Sequence, residues 1–233
     1  MGLMWDDPAV VVGMARLEEL LQSRLAAGDT MLGWKLGLGS PTAMATLGIG
    51  APLVGFLTTQ AVLPTDSRVP LNGWVKPAVE PEIAIHMKTD LGPRPSVDQA
   101  RDAIAGLSPA LEIVDLDQPL NDVAAALAGD IFQRHVIVGE PDFGRAGADL
   151  TGIDISVSNR GGRIGSTTDP EAKTGRLLDL VVHVATWAGR MGRRLEAGQI
   201  IIAGSVIPII MAQAGDVVDY ACNPMGRLSV SFA

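Results

Sequence analysis

The sequence is poor in cysteine, in aromatic residues and in basic charge, and each shortage excludes a class of protein. A single cysteine, Cys222, excludes an internal disulfide and a multi-cysteine zinc site. Aromatic residues make up 4% of the chain against 47% for all hydrophobic residues, so an aliphatic core is expected. Lys and Arg total 18 against 26 Asp and Glu, and the net charge of −8 argues against a nucleic-acid-binding surface.

Long apolar runs and a targeting segment are missing as well. No stretch reaches the ~18 uncharged apolar residues of a membrane-spanning helix. Residues 1–7 have neither the basic nor the apolar region of a signal peptide. The sequence therefore predicts a cytoplasmic protein with no membrane or nucleic-acid partner.

The chain does contain strand-like segments interspersed with helical ones. Asp7 and Pro8 predict the start of an amphipathic helix that ends at Gly28. Further helices are expected at 41–47, 96–107, 121–127 and 176–195 (the longest), strands at 75–87, 110–115, 134–138, 149–158, 199–203, 217–220 and 227–232, and loops at 139–148 and 161–174. This order of elements predicts one α+β domain over residues 1–233.

Carboxylates interrupt the apolar strand predicted at 75–87. Alternate side chains of a strand share a face, so Glu80, Glu82 and His86 lie on one side and the other side is wholly apolar. Positions i and i+2 are about 6.6 Å apart, close enough for two flexible glutamates to bind one cation. Without a cation the like charges repel each other. The alternative interpretation is that both glutamates point into solvent, where water screens the repulsion.

A second aliphatic strand, residues 110–115, carries Glu112 and Asp115. Two acidic interruptions of apolar strands are harder to explain as surface residues than one. Carboxylate oxygens suit Mg²⁺, Mn²⁺ or Ca²⁺ and disfavour zinc. Three carboxylates leave positions open for water and substrate, so the pattern indicates a divalent-metal site with Lewis-acid chemistry.

Lys35 lies in a glycine-rich run, residues 32–40, that predicts a strand with close backbone approach or a substrate-facing loop. One interpretation is a lysine with a buried stem and its charged head in water. The other is an active-site residue, either a cation for a substrate carboxylate or an acid/base group with a lowered pKa. Spacing alone leaves both open.

Several blocks, in order from about residue 32 onwards, resemble the 2-hydroxypenta-2,4-dienoate hydratase and 4-oxalocrotonate decarboxylase family of the fumarylacetoacetate hydrolase-like superfamily. GWKLGLGS resembles the family's GxKxGLTS block, and PLVGFL its PxxGxL block. KPAVEPEIA resembles the block with two metal ligands, and PALEIVD the block with the third. The C-terminal matches are residues 195–200, 204–205, 214–216 and 226–232.

The resemblance implies a mixed β-roll or sandwich with flanking helices, in which residues 1–50 pack on a catalytic core of residues 51–233. The site residues that it implies are Glu80, Glu82 and Glu112 as ligands to Mg²⁺ (or Mn²⁺ or Ca²⁺), Lys35 as the catalytic residue, and Gly37, Ser40 and Ser205 as substrate contacts. The implied activity is that of a lyase, a decarboxylase or hydratase of a small unsaturated 2-keto acid, acting through a metal-stabilised enolate. A homo-oligomer is also implied.

The chain departs from the family pattern at several places. Hydratases often carry an acidic residue in the PxxG block, where this chain has Leu53 and Val54, and this favours the decarboxylases. The family's Asp-Asn pair after the third ligand is Asp130-Ile131 here, and residues 174–176 replace a Gly-His-Pro-like stretch. The N-terminal region is shorter than usual. These departures predict an altered substrate pocket around an intact metal site.

Two other functions stay open. An acylpyruvate-type C–C bond hydrolase on the same fold needs a His-Glu pair aimed at a water. His86 lies on the ligand face, but a structural role is expected for it, as for His135 and His183. A catalytically idle relative that serves as a binding or assembly subunit is the other possibility, because the PxxG and Asp-Ile positions are altered.

Overall fold

The computed structural model describes residues 4–233. The α-helices are α1 (Pro8–Ala26), α2 (Pro41–Leu47), α3 (Val97–Ala103), α4 (Val123–Ala128), α5 (Glu171–Thr174) and α6 (Leu177–Arg190). The strands are β1 (Met31–Gly37), β2 (Leu53–Thr58), β3 (Ser67–Val69), β4 (Pro77–Met87), β5 (Ile104–Asp115), β6 (Gln133–Val138), β7 (Asp154–Asn159), β8 (Gly162–Thr167), β9 (Ile200–Ile202), β10 (Ile210–Met211), β11 (Val217–Asn223) and β12 (Gly226–Phe232). Short 3₁₀ turns lie at Met4–Asp6, Thr59–Ala61, Asp130–Phe132 and Phe143–Arg145.

The larger sheet runs in the order β2-β1-β9-β4-β5-β6, and β10 pairs with β4 beside this path. β1 and β9 are parallel, and the other neighbours are antiparallel. β9 is only three residues long and comes from late in the chain, yet it lies between β1 and β4. It therefore joins the N-terminal strands to the long β4–β5 pair.

The smaller sheet has the order β3-β12-β11-β7-β8 and packs beside β5. β3 is parallel to β12, and the other pairs are antiparallel. Tyr220 on β11 is fully buried, and its hydroxyl donates a hydrogen bond to the carbonyl of Glu82 at 2.9 Å. This bond ties the smaller sheet to the strand that carries the predicted ligands.

Both faces of the larger sheet are buried. The main core, on the outer face and under the helices, is aliphatic as predicted, with Trp34, Ile83 and Ile113 among its fully buried members. A second, smaller cluster on the inner face consists of Leu57, Ala84, Ala110, Val136, Ile200 and Ile202. Full burial of an aliphatic side chain stabilises the folded state by about 1.5–3 kcal/mol. Ala84 lies on the same face of β4 as Glu80 and Glu82 and belongs to the second cluster, so the ligand face of β4 is buried inside the protein.

The N-terminal helix begins as predicted. The Asp7 side chain accepts a hydrogen bond from the Ala9 N–H at 2.8 Å, with Pro8 at the first helical position. Leu17 and Leu21 are fully buried, and α1 packs against α4. Among the described residues, no helix combines the length and the apolar character that crossing a membrane requires.

Several predicted element boundaries are wrong. The helix predicted at 96–107 ends at Ala103, because the apolar residues after it pair with β4 as the start of β5. The loop predicted at 161–174 contains β8 and α5, and the strand predicted at 149–158 begins only at Asp154. The helix predicted at 176–195 ends at Arg190 and is shorter than α1. The starts of β5 and β7, and all of β8, are determined by pairing with neighbouring strands. The local sequence does not reveal these partners.

Candidate active site

Three glutamates meet on the inner face of the larger sheet. Glu80 and Glu82 lie two residues apart on β4, and Glu112 lies on β5 directly opposite Glu80. One carboxylate oxygen from each residue lies within 4.8 Å of the others. Glu82 and Glu112 are fully buried, so the alternative that the β4 pair points into solvent is wrong for Glu82.

Burial makes this cluster electrostatically costly. Glu82 Oε2 accepts a hydrogen bond from the Gly204 N–H at 2.7 Å, but Glu82 Oε1 and Glu112 Oε2 are buried without a hydrogen-bond partner in residues 4–233. Burial, followed by the charge of Glu112, raises the pKa of Glu80 to about 7. Burial also raises the pKa of Glu82 well above its ordinary value and raises the pKa of Glu112. Burial therefore favours protonation of these carboxyls, and a cation bound among them would instead stabilise their charged forms.

Lys35 extends from β1 into the same space. Its Nζ forms an ion pair with Glu112 and donates a hydrogen bond to the Ile131 carbonyl at 2.9 Å. The side chain is 1% exposed, so the interpretation that places its head in water is wrong. Burial lowers the pKa of Lys35, but the charges of Glu112, Asp130 and Glu80 outweigh burial and raise this pKa above its ordinary value. In this charge environment Lys35 is an ammonium cation.

The contact between Lys35 and Glu112 requires a strongly curled sheet. β9 and β4 separate β1 from β5, so the two strands would lie about 14 Å apart in a flat sheet. Gly33 permits close packing at the curl, because a Cβ there would lie 2.0 Å from the carbonyl oxygen of Ile200. The close backbone approach predicted from the glycine-rich run is confirmed, and the curl turns the functional side chains toward one another.

A pocket of about 350 Å³ opens beside Lys35 and Glu80. All three predicted substrate contacts line it, namely Gly37, Ser40 and Ser205. Ser40 Oγ accepts the Ala43 N–H, which leaves its own O–H to donate, whereas Ser205 donates to the Ile207 carbonyl. The outer walls include Leu116, Leu120, Ile131, Phe132, Ile207, Ile209 and the exposed Lys173. This lining suits a small acid with a hydrocarbon body.

Asp130 is a site residue that the sequence did not identify as one. It is fully buried next to Lys35, and its Oδ1 accepts the Phe56 N–H at 2.9 Å. Its Oδ2 lies 3.8 Å from Nη1 of Arg24 on α1. Burial raises the pKa of Asp130 to about 7, although the charge of Lys35 opposes the rise. The sequence feature that could have identified Asp130 is the Asp-Ile pair, which departs from the family's Asp-Asn pattern.

Residues 130–132 adopt three consecutive left-handed conformations, with φ of 55° for Asp130, 49° for Ile131 and 67° for Phe132. Each costs a non-glycine residue about 1–2 kcal/mol. Strain of this kind concentrates at functional sites. Here it turns the Ile131 carbonyl toward Lys35 and places Ile131 and Phe132 in the pocket wall.

The altered positions of the PxxG block lie outside the pocket. Leu53 and Val54 are fully buried in the main core, and neither belongs to the pocket lining. Gly55 has a direct role, because it faces Lys35 across β1 and β2, and a Cβ there would lie 2.5 Å from Asp130 Oδ1. These two departures from the family pattern therefore do not reshape the pocket lining directly, and the space for Lys35 is kept.

The histidines have structural partners. His86 Nε2 shares a hydrogen bond with Ser108 Oγ at 2.8 Å, and His183 Nε2 bonds the Pro52 carbonyl at 2.8 Å. His135 stacks on Trp74. In the described part of the chain no histidine lines the pocket.

Comparisons with known proteins agree with this architecture. A family model described as fumarylacetoacetate (FAA) hydrolase C-terminal matches residues 40–233. The 2-hydroxyhexa-2,4-dienoate hydratase of Comamonas testosteroni is 30% identical over 220 residues, covering 91% of this chain and 82% of the hydratase. A 4-oxalocrotonate decarboxylase of a Pseudomonas species is 27% identical over 235 residues, covering 98% and 90%.

A solved structure shows the same fold. It is that of the 4-oxalocrotonate decarboxylase from Pseudomonas putida G7, complexed with magnesium and adipate. Its TM-score is 0.83 at 24% identity, and the match covers 92% of this chain and 82% of that chain. The predicted mixed β-roll with flanking helices is confirmed.

Proposed function

This chain belongs to the fumarylacetoacetate hydrolase family, and we propose that it is a divalent-metal-dependent lyase for a small unsaturated 2-keto acid. One observation carries the proposal: two orphaned carboxylate oxygens, on Glu82 and Glu112, lie buried beside an open pocket. An all-carboxylate donor set fits Mg²⁺, Mn²⁺ or Ca²⁺. Glu80, Glu82 and Glu112 would hold the ion, and the decarboxylase of the same fold was solved with magnesium.

The side chains around the cluster have separate tasks in this chemistry. A bound cation supplies Lewis-acid charge for the carboxylate and keto oxygens of a 2-keto acid. Lys35 holds its ammonium proton on Nζ at the inner end of the pocket, where it stabilises negative charge that develops on the substrate oxygens. Ser40 orients the acid through its O–H, and the apolar outer walls exclude water from the hydrocarbon body.

Decarboxylation is the reaction that these side chains support best. The titratable residues of the pocket lining, within the described chain, are Lys35, Glu80 and Lys173. Hydration needs a base that activates a water, and no carboxylate remains for this task once Glu80 binds the ion. Loss of CO₂ needs no such base. The electron pair of the breaking C–C bond moves through the conjugated system to the keto oxygen, and one proton then converts the resulting dienolate to a 2-hydroxydienoate that keeps its own carboxylate.

Hydration is the second candidate. The 30% identity to a 2-hydroxyhexa-2,4-dienoate hydratase, over most of both chains, favours it. The pocket itself offers less support for a C–C bond hydrolase, because no His-Glu pair lines it in residues 4–233.

The test uses the intact chain, stripped with a chelator and then reloaded with Mg²⁺ or Mn²⁺. The protein is offered a 2-keto hexenedioate and a 2-hydroxydienoate, and absorbance and CO₂ are recorded together. Metal-dependent loss of the conjugated absorbance with one CO₂ per turnover supports decarboxylation, and loss without CO₂ supports hydration. Metal binding without turnover of any 2-keto acid would leave an idle binding subunit and overturn the enzymatic proposal.

A further inference from the structure

Asp130 is a buried acid for which the proposed function has no use. It does not line the pocket, so it does not touch a substrate there. It lies on the β2 side of Lys35, where it is bonded to the Phe56 N–H, whereas Glu112 lies on the β5 side. Its Oδ2 has no hydrogen-bond partner among residues 4–233, and its charged neighbour there is Arg24, whose Nη1 lies 3.8 Å away in a partly exposed side chain. An acid that is buried with incomplete pairing indicates a role through its neighbour.

The packing around Asp130 is built for closeness to Lys35. Gly55 separates the two side chains, and a Cβ there would lie 2.5 Å from Asp130 Oδ1 and 3.1 Å from Lys35 Cγ. Any larger residue would push the acid and the lysine stem apart. Glycine at this position therefore keeps the negative charge of Asp130 beside the lysine.

The left-handed run gives Lys35 a second fixed partner. The Ile131 carbonyl accepts a hydrogen bond from Lys35 Nζ at 2.9 Å, immediately after Asp130 in the chain. The same three strained residues thus supply both the carboxylate and the carbonyl on this side of the lysine.

Lys35 needs these partners because its side-chain ion-pair partner has another task. Glu112 pairs with Lys35 and is also one of the three clustered carboxylates. A cation held by the cluster draws on the charge of Glu112 and repels the ammonium. The opposite side of Lys35 must then hold it in place.

We propose that Asp130, together with the Ile131 carbonyl, is a positioning residue that holds Lys35 at the inner end of the pocket when Glu112 engages a metal ion. The inference rests on the proposed function. It assigns the strain of residues 130–132 to the placement of one ammonium group.

The first test measures Lys35 directly. The full chain and its Asp130→Asn variant, which keeps an acceptor for the Phe56 N–H, are treated with an amine-modifying reagent, and labelling is read at each lysine by mass spectrometry. We expect Lys35 labelling to rise about threefold in the metal-free variant and further with Mg²⁺, with the exposed Lys88, outside the pocket lining, unchanged as the internal control. Equal Lys35 labelling in variant and wild type overturns the inference.

The second test separates positioning from folding. Asp130→Asn should lower kcat about tenfold or more while KM and the Mn²⁺ dissociation constant stay within about threefold. Asp216→Asn, which removes a buried carboxylate that is not part of the pocket lining, should change none of these values. A parallel loss of metal affinity, or an unchanged kcat, contradicts the inference.

Gly55→Ala serves as the second variant if Asp130→Asn fails to fold. It displaces Asp130 from Lys35 without removing charge, so it should raise Lys35 labelling and lower kcat in the same way. A wild-type chain that binds no metal, or turns over no 2-keto acid, refutes the proposed function instead. The labelling comparison in metal-free protein then still decides the role of Asp130.

Discussion

Glu80 and Glu112 lie directly opposite each other on the antiparallel strands β4 and β5. Like charges in such a pair destabilise a sheet. Here the pair is reinforced by a third acid, Glu82, and Lys35 supplies one positive charge in return. The folded state gains stability from this arrangement only when a further cation is bound.

Removing one carboxylate should separate stability from metal affinity. Glu82→Gln takes away a buried, incompletely paired charge, so the metal-free variant should melt at or above the wild-type temperature. Its affinity for Mn²⁺, measured by calorimetry, should fall roughly a hundredfold or more because a ligand is lost. Glu19→Gln on the exposed side of α1 is the matched control and should change neither value. Wild-type affinity in Glu82→Gln would refute the ligand assignment.

Removing the ammonium should have the opposite effect on metal binding. Lys35→Met deletes a positive charge beside the cluster, so Mn²⁺ should bind as tightly as in wild type or more tightly. Turnover should fall about 100- to 1,000-fold, because charge that develops on the substrate is no longer stabilised. Steady-state kinetics and calorimetry are read on the same preparation, with the exposed Lys88→Met as control. A kcat within about threefold of wild type would exclude Lys35 from the chemistry.

Metal-free protein should lose stability as pH rises. Glu80 and Asp130 have folded-state pKa values raised to about 7. Between about pH 5 and pH 7 the folded chain therefore binds more protons than the unfolded chain, and the free energy of unfolding falls as pH rises through this window. Thermal melts in chelator should show the fall. Burial lowers the pKa values of His86, His135 and His183, and this opposes the fall in the same window. The contribution of the carboxyls is therefore read as the difference in pH dependence between wild type and Asp130→Asn, and identical pH dependence of the two melting temperatures would contradict the shift of Asp130.

Metal should reverse that trend. Cation binding competes with protons for Glu80, Glu82 and Glu112, so the rise in melting temperature on adding Mn²⁺ should be larger at about pH 8 than at about pH 5. Melts at matched free Mn²⁺ measure the difference, and Glu82→Gln should abolish most of it. An equal rise at both pH values would show that the ion binds elsewhere.

Gly33 should be intolerant of any side chain. Gly33→Ala places a Cβ 2.0 Å from the Ile200 carbonyl oxygen, so β1 and β9 must separate. We expect a loss of about 3 kcal/mol or more in urea unfolding, together with lost metal-dependent turnover. Gly50→Ala is the control, because a Cβ there meets nothing within 4 Å, and it should cost less than about 1 kcal/mol. Equal stability of the two variants would contradict the close β1–β9 packing.

The glutamate cluster could be predicted from sequence because each of its residues stands out within its own strand. Glu80 and Glu82 share a face by strand periodicity, and Glu112 stands out in an aliphatic strand. The structure brings the three together, and their role as ligands stays a proposal. Asp130 could not be recognised in the same way, since its position depends on a left-handed run and on burial between distant strands.

The fold was predictable in class and less so in detail. The capped α1 and the long β4 have strong local patterns, and both were predicted. β8 and the start of β5 have weak local patterns, and their strand partners determine them. The homo-oligomer stays a prediction.

The lateness of β9 in the chain has a consequence for synthesis. Residues 200–202 are what join β1 to β4, and Gly204 supplies the N–H that binds Glu82. A nascent chain that carries Lys35 and all three glutamates therefore cannot assemble its pocket until the ribosome has added these last segments. We therefore expect the acidic cluster to stay hydrated until residues 200–204 are synthesised, so that the centre forms late in folding.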